Sequence, residues 1–301
     1  MKNKTFNQDN LLKGLIYSGS GSFWWGVIGV IYFKYVSFVG PIELVIHRTI
    51  WTSLILLFTT TFFSKWNLFL EIVSNKKKLF ILFFTGLLIF LNWFVWIYAV
   101  ATYRIIDASF GYFIFPIISV LLGFLFFSEK LNKRRIFSII LVIISIIYLL
   151  FNFKSIPWVG LAVAFLWSIY NLLRKKINVD IDVGLFIESL FILPFAIIIF
   201  YFLVKNNAND FELSNPSLMI LLFLAGPMTV IPLFLYIKGV TISGLGPSGM
   251  IFFIAPTGQF LLGFYLYNEL FTIDKLISFI LIWIAVIIYL RDLYQQKKCL
   301  E

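Results

Sequence analysis

Long apolar runs alternate with short polar connections along nearly the whole chain. Ten of these runs approach or exceed the length of a helix that crosses a bilayer: roughly 12–35, 41–63, 79–102, 107–128, 135–153, 157–174, 183–204, 216–238, 245–268 and 274–291. Within each run the apolar positions are continuous. A closed barrel would show alternating segments of about ten residues, so helices are left as the way to satisfy the backbone in lipid. The pattern therefore predicts an all-α integral membrane protein with ten transmembrane helices. The first run, from Gly14 to Phe33, is also too long for the apolar core of a removable signal.

One stretch within this pattern occurs twice. It reads P-x4-L-L-G-F-x4-E, from Pro116 to Glu129 and again from Pro256 to Glu269, an offset of 140 residues. Apolar matches are cheap in such a chain, but Pro, Gly and Glu in fixed register are not. Five spans separate the copies. Five is odd, so the second copy crosses in the opposite direction. The expectation is one membrane domain built from two inverted-topology five-helix repeats, residues 1–153 and 154–301.

Charge fixes the expected orientation. With the N-terminus inside, the inner segments hold 18 Lys and Arg, the outer segments hold 5, and Arg48 falls within a span, which accounts for all 24. Both termini are then cytoplasmic by the positive-inside rule. The runs Lys76–Lys78 and Arg174–Lys176 read as topology signals, so the net charge of +10 needs no nucleic acid.

Composition narrows the function classes. With 61% hydrophobic and only 13% charged residues, the chain cannot dress a water-facing surface. One His and one Cys, His47 and Cys299, leave no His/Cys metal site or disulfide framework to expect, and no cofactor is expected. Gly244, Gly246 and Gly249 match G-x-G-x-x-G without a preceding strand, so they are read as helix-packing glycines. There is no P-loop and no nucleophile–base constellation.

The candidate site residues are those that lipid should exclude. Arg48 lies seven residues past Pro41, roughly 10 Å into its helix. Charge at that depth faces a cavity or a partner. Glu43 and His47, at i and i+4, share a face with each other, and Trp51 can pack beside either His47 or Arg48. Arg48 is read as the anchor for an anionic group or as a gate residue. Glu188 lies 140 residues beyond Arg48, and the two are expected to meet across the pseudo-twofold axis. Asn92, Trp93, Trp96 and Tyr112 are expected to line an aromatic cavity, with Asn171 as a further polar candidate. Pro116 and Pro256 each free a backbone carbonyl inside a span and are read as gating or hinge positions. Glu129 and Glu269 are read as helix–loop ties, compensated by Lys133 and Arg134 and by Lys275.

At these residues the chain resembles the RarD-type branch of the EamA family in the drug/metabolite transporter superfamily. The matching pieces are Glu43-x3-His47-Arg48-x2-Trp51, Asn92-Trp93, the run Ala108 to Pro116, Tyr170-x3-Arg174-Lys175-Lys176, Ile187-Glu188, Pro232-Leu233 and Pro256. The resemblance implies ten helices, inverted repeats, a bacterial inner-membrane location and movement of small metabolites or drugs. Two departures bear on the cavity. The family often has Asn before its first proline, where this chain has Phe115. It usually has a polar or tyrosyl stretch before Gly-Pro, where this chain has Phe252, Phe253, Ile254 and Ala255. Phe115 and Phe252 would make the wall greasier and favour an aromatic or largely apolar solute.

The resulting expectation is a secondary transporter working by alternating access, by export or exchange. Its partners would be a small organic solute (amino acid, metabolite or drug) and the lipid bilayer. Protons are a candidate coupling ion through Glu43, His47 or Glu188, and the oligomeric state is open. The rival readings are a non-transporting scaffold or sensor and a membrane-embedded enzyme or lipid scramblase.

Overall fold

Short polar residues set the helix ends. In the computed structural model, which describes residues 8–36, 38–101, 105–151, 158–267 and 273–298, Asp180 accepts from the Val183 N–H and Asn215 from the Leu218 N–H. Asn132 does the same for Arg135 and Asn75 for Lys78. Each cap satisfies one donor that the first helical turn leaves free. Pro41 and Pro216 occupy first turns, where no N–H is needed.

The helices are α1 (Gln8–Phe23), a π-helical segment (Trp24–Ile28), α2 (Gly29–Tyr35), α3 (Pro41–Phe62), α4 (Trp66–Ser74), α5 (Lys76–Ala101), α6 (Ile105–Phe127), α7 (Lys133–Leu150), α8 (Trp158–Ile177), α9 (Ile181–Lys205), α10 (Pro216–Ser243), α11 (Leu245–Ile251), α12 (Ile254–Tyr267) and α13 (Ile273–Lys298). No strand occurs among the described residues. Among the described residues, five helical stretches are long and apolar enough by themselves to cross a membrane: Pro41–Phe62, Lys76–Trp96, Ile181–Lys205, Pro216–Ser243 and Leu276–Gln295.

Burial is inverted relative to a water-soluble domain. Large apolar side chains such as Leu12, Phe58, Phe124, Ile197 and Ile280 point outward, where lipid would meet them. Serines and threonines are buried and donate one turn back: Ser18 to Gly14 O, Ser22 to Ser18 O, Thr49 to Val45 O and Ser53 to Thr49 O. This satisfies each hydroxyl without a partner on another helix.

Small residues allow the closest crossings. α1 packs on α10 with Gly14 and Gly21 facing Ser243, Pro232 and Tyr236, and with Gly239 facing Ser18. A Cβ at Gly111 would meet the Gly160 backbone where α6 crosses α8. Such crossings let backbones approach without a hydrophobic driving force. The main helix pairs are α1 with α10, α5 with α8, α3 with α9, α3 with α10, α5 with α9, α6 with α8, α6 with α11, and α7 with α13.

Two interruptions follow from chemistry. Pro256 has no N–H for the Phe252 carbonyl, which accepts from Ala255 N at 2.9 Å, and the chain turns between α11 and α12. Pro116 lies inside an unbroken α6, so the two prolines expected to act as a matched pair do not break their helices alike. Gly244, at φ +105°, joins α10 to α11 in a conformation that side chains rarely adopt. The separate helix α4 was not foreseen.

Candidate functional site

Helix α3 begins at Pro41 and carries Arg48 two turns in, where only 7% of the residue is exposed. Its Nε donates to Thr229 Oγ1 of α10 at 3.1 Å. Its guanidinium carbon lies 4.5 Å from the Trp93 ring centroid and 5.7 Å from that of Phe33. Thr229 is itself oriented by donating to Ala225 O at 2.8 Å. Arg48 is thus held by one neutral hydrogen bond and two aromatic faces, an arrangement in which cation–π attraction offsets part of the lost hydration.

Arg48 lies at the wall of a cavity of ≈ 810 Å³ including space open to solvent. Trp25, Phe33, Trp93, Trp96, Tyr112, Trp167 and Phe252 supply aromatic wall. Asn92, Thr229 and Gln259 supply neutral polar groups. Asn92 is fixed by donating through Nδ2 to Val163 O at 3.0 Å, which ties α5 to α8. Every lining segment lies towards the end of the bundle where α2 meets α3 and α9 meets α10, or near the middle.

Next to the cavity a cluster of rings packs between the helices. Phe115 packs against Phe252 at 4.8 Å between centroids, and against Trp167 and Tyr236 at 6.1 and 6.2 Å. Trp167 stacks on Tyr170 at 5.2 Å. Farther along, the Glu129 carboxylate receives Leu245 N and Gly246 N, at 2.8 and 2.9 Å, and Lys175 Nζ at 2.8 Å. This joins the end of α6 to the start of α11 and to α8.

A second, smaller polar site surrounds Glu188. Tyr170 Oη donates to its Oε2 at 3.2 Å, Thr85 Oγ1 donates to its Oε1, and Arg174 Nη1 lies 3.5 Å from Oε1. The adjoining ≈ 380 Å³ cavity also touches Thr52 and Ser189, and it shares Ile89 and Trp93 with the larger one. Among the described residues no group of three or more His, Cys, Asp or Glu gathers as a metal site.

The sequence model of the EamA-like transporter family matches twice, over residues 12–151 and 154–291. This chain belongs to that family. It is 36% identical over 288 residues to an uncharacterized transporter of Vibrio cholerae, covering 96% of this chain and 95% of the relative. It is 31% identical over 287 residues to the protein RarD of Escherichia coli, covering 95% and 97%. It is 33% identical over 289 residues to the uncharacterized transporter YojE of Bacillus subtilis, covering 95% and 96%. A solved crystal structure superposes with a TM-score of 0.67 at 15% identity, covering 93% of this chain and 97% of the other, and this likeness speaks for the fold alone. The chain is therefore a RarD-type EamA transporter, a multi-pass protein of the inner membrane.

In this family member the expected site residues separate. Arg48, Asn92, Trp93, Trp96, Tyr112 and Phe252 line the main cavity. Phe115 lies in the ring cluster next to it. Glu43, His47 and Trp51 do not line it. The Glu43 carboxylate accepts from Asp210 N and Phe211 N at 2.8 to 3.1 Å and so fastens the α9–α10 connection. His47 Nε2 is 3.4 Å from Glu43 without a hydrogen bond, and the ring packs against Phe200 and Phe211. Trp51 packs on Phe211 and Phe223.

The expected Arg48–Glu188 pair is not formed, because Glu188 is taken by Arg174, Tyr170 and Thr85. Asn171 also lies off the main cavity and donates to Trp167 O at 2.8 Å. The partners expected for Glu129 are corrected from Lys133 and Arg134 to Lys175 and two backbone amides. Glu269 lies outside the described residues, as does the Lys275 side chain. Thr229 and Gln259 were missed, because a Thr or Gln in an apolar run gives no signal of the face it occupies. Trp25 and Trp167 were visible as aromatics, without anything to separate cavity wall from membrane belt.

Proposed function

We propose that this protein moves a small organic solute across the membrane through the aromatic cavity, as a secondary transporter working by alternating access. The observation that carries this reading is an ≈ 810 Å³ cavity with aromatic walls and one buried cation, set between helices of both halves of the chain. We take ten helical units as the spans: α1 to α2, α3, α5, α6, α7, α8, α9, α10, α11 to α12, and α13. The halves 1–153 and 154–301 would then be related as inverted repeats.

Two features support that relation. The family model matches each half. The helix pairs also map onto one another when the halves are exchanged: α1 on α10 becomes α8 on α5, α3 on α10 becomes α9 on α5, and α3–α9, α6–α11 and α7–α13 map onto themselves. With both termini cytoplasmic, as the Lys and Arg distribution favours, the cavity lies in the outer half. The ring cluster and the Glu129 tie then close the cytoplasmic half. The solute can drive the cycle only by binding the two states with different affinity. Export and exchange both fit this scheme, and Glu188 is the buried carboxyl best placed to carry a coupled proton.

The test is counterflow in proteoliposomes with a panel of amino acids, nucleosides and amphenicol drugs, comparing wild type with Arg48→Ala. Uptake of at least one solute class, lost in the variant with its fold intact, is the expected result. No uptake of any solute would return weight to the scaffold and enzyme readings. An imposed pH gradient without effect on uptake would remove the proton.

A further inference from the structure

We infer that the cavity selects an organic anion: a planar aromatic body carrying one carboxylate-like group and needing no amine. The inference rests on the transporter reading and names the substrate class of the same cavity. Arg48 is buried and forms no ion pair among the described residues, and its hydrogen bond to Thr229 is made through Nε. The acids that could have neutralised it are engaged elsewhere, Glu43 with the 210–211 amides and Glu188 with Arg174.

A buried guanidinium without a counter-charge is costly unless a ligand supplies one. Its terminal nitrogens form the fork that matches two carboxylate oxygens. No Asp or Glu lines the cavity among the described residues, so an ammonium group would find no carboxylate there. The walls fit the rest of the solute. Trp93 already bears the guanidinium on its face, while Trp25, Trp96, Trp167 and Phe252 line the cavity with aromatic surface on which a flat apolar ring can pack. Asn92 and Gln259 add neutral polar contacts that orient the solute without setting its charge.

The test uses three probes of one shape on the full-length protein in nanodiscs: 1-naphthoate, 1-naphthamide and 1-naphthylmethylamine. Binding is read by thermal stabilisation and by quenching of tryptophan fluorescence. Naphthoate is expected to bind about tenfold or more tightly than the amide, with the amine weakest. Arg48→Gln should bring naphthoate down to the level of the amide. Arg48→Lys should keep part of the preference. Thr229→Val should weaken naphthoate while preserving its rank, because the charge stays and only its orientation is lost. Equal binding of naphthoate and amide by the wild type, tighter binding of the amine, or binding of none of the three would overturn the inference. Counterflow of another solute alongside any of those outcomes would leave the transporter reading standing. Naphthoate binding without counterflow would leave the anion site standing and sink transport.

Discussion

Arg48 is expensive to keep. A structural tie would place it against a carboxylate, and this one rests on a threonine and two rings. Replacing a buried, unneutralised cation by an apolar side chain of similar length removes a desolvation cost. Arg48→Met should therefore leave thermal stability unchanged or raise it by about 1 kcal/mol, while abolishing solute-dependent stabilisation. A clear loss of stability would make Arg48 a structural residue. Glu43 should behave in the opposite way. Glu43→Ala strands the Asp210 and Phe211 amides and should cost about 1–3 kcal/mol, with solute affinity unchanged. A melt in nanodiscs with and without solute reads both effects. The sequence made Arg48 and Glu43 conspicuous by their charge, but it could not say which faced the cavity. The offset of 140 residues also misled about Glu188. In the proposed repeat, Arg48 and Glu188 are related positions, and related positions meet only on the axis. Off the axis each finds its own threonine, Thr229 on α10 and Thr85 on α5, which are themselves the corresponding helices.

At the scale of helices, the cytoplasmic side in the proposed orientation is held by ties between elements far apart in sequence. Glu129 supplies a charge to the start of α11, where free amides and the helix dipole favour an anion. Glu129→Ala removes three contacts and should lower stability by about 1–3 kcal/mol, measured by a thermal melt. An unchanged melt would reduce the tie to a surface contact. Lys65 joins the α3–α4 connection to Asp180 and Asp182 beside α9. Burial works to lower its pKa, but the hydrogen bonds and charges of Asp182 and Asp180 outweigh it, so the value is raised from 10.5. The contribution of this tie is complete below the ordinary lysine value and is lost only as pH rises through the raised one. The acid at 129 was legible as a tie from its position at a span end. Its partners were not, because the nearest cations in sequence, Lys133 and Arg134, are not the ones folding brings close. The turn at Phe252 and Phe253 was foreshadowed by Pro256. Helix α4 was hidden in a segment read only as a connection.

For the whole molecule, the helices follow from hydropathy because lipid leaves an apolar run little alternative. Within the described residues, each of the ten apolar runs overlaps one helix or a succession of helical segments. The cavity could not be read in the same way, since it depends on which faces of separate helices converge. Arg48 and Asn92 were found because lipid would reject them, while the amide of Gln259 was missed. The account stands or falls on whether this cavity is the solute path. Met228 lines it on α10, and Cys299 is the only native cysteine. The decisive measurement is modification of Met228→Cys, on a Cys299→Ser background, by a membrane-impermeant thiol reagent applied to either face. The account predicts modification from the outer face, slowed by a transported solute. Failure to react from both faces, or modification that no transported solute slows, would contradict it.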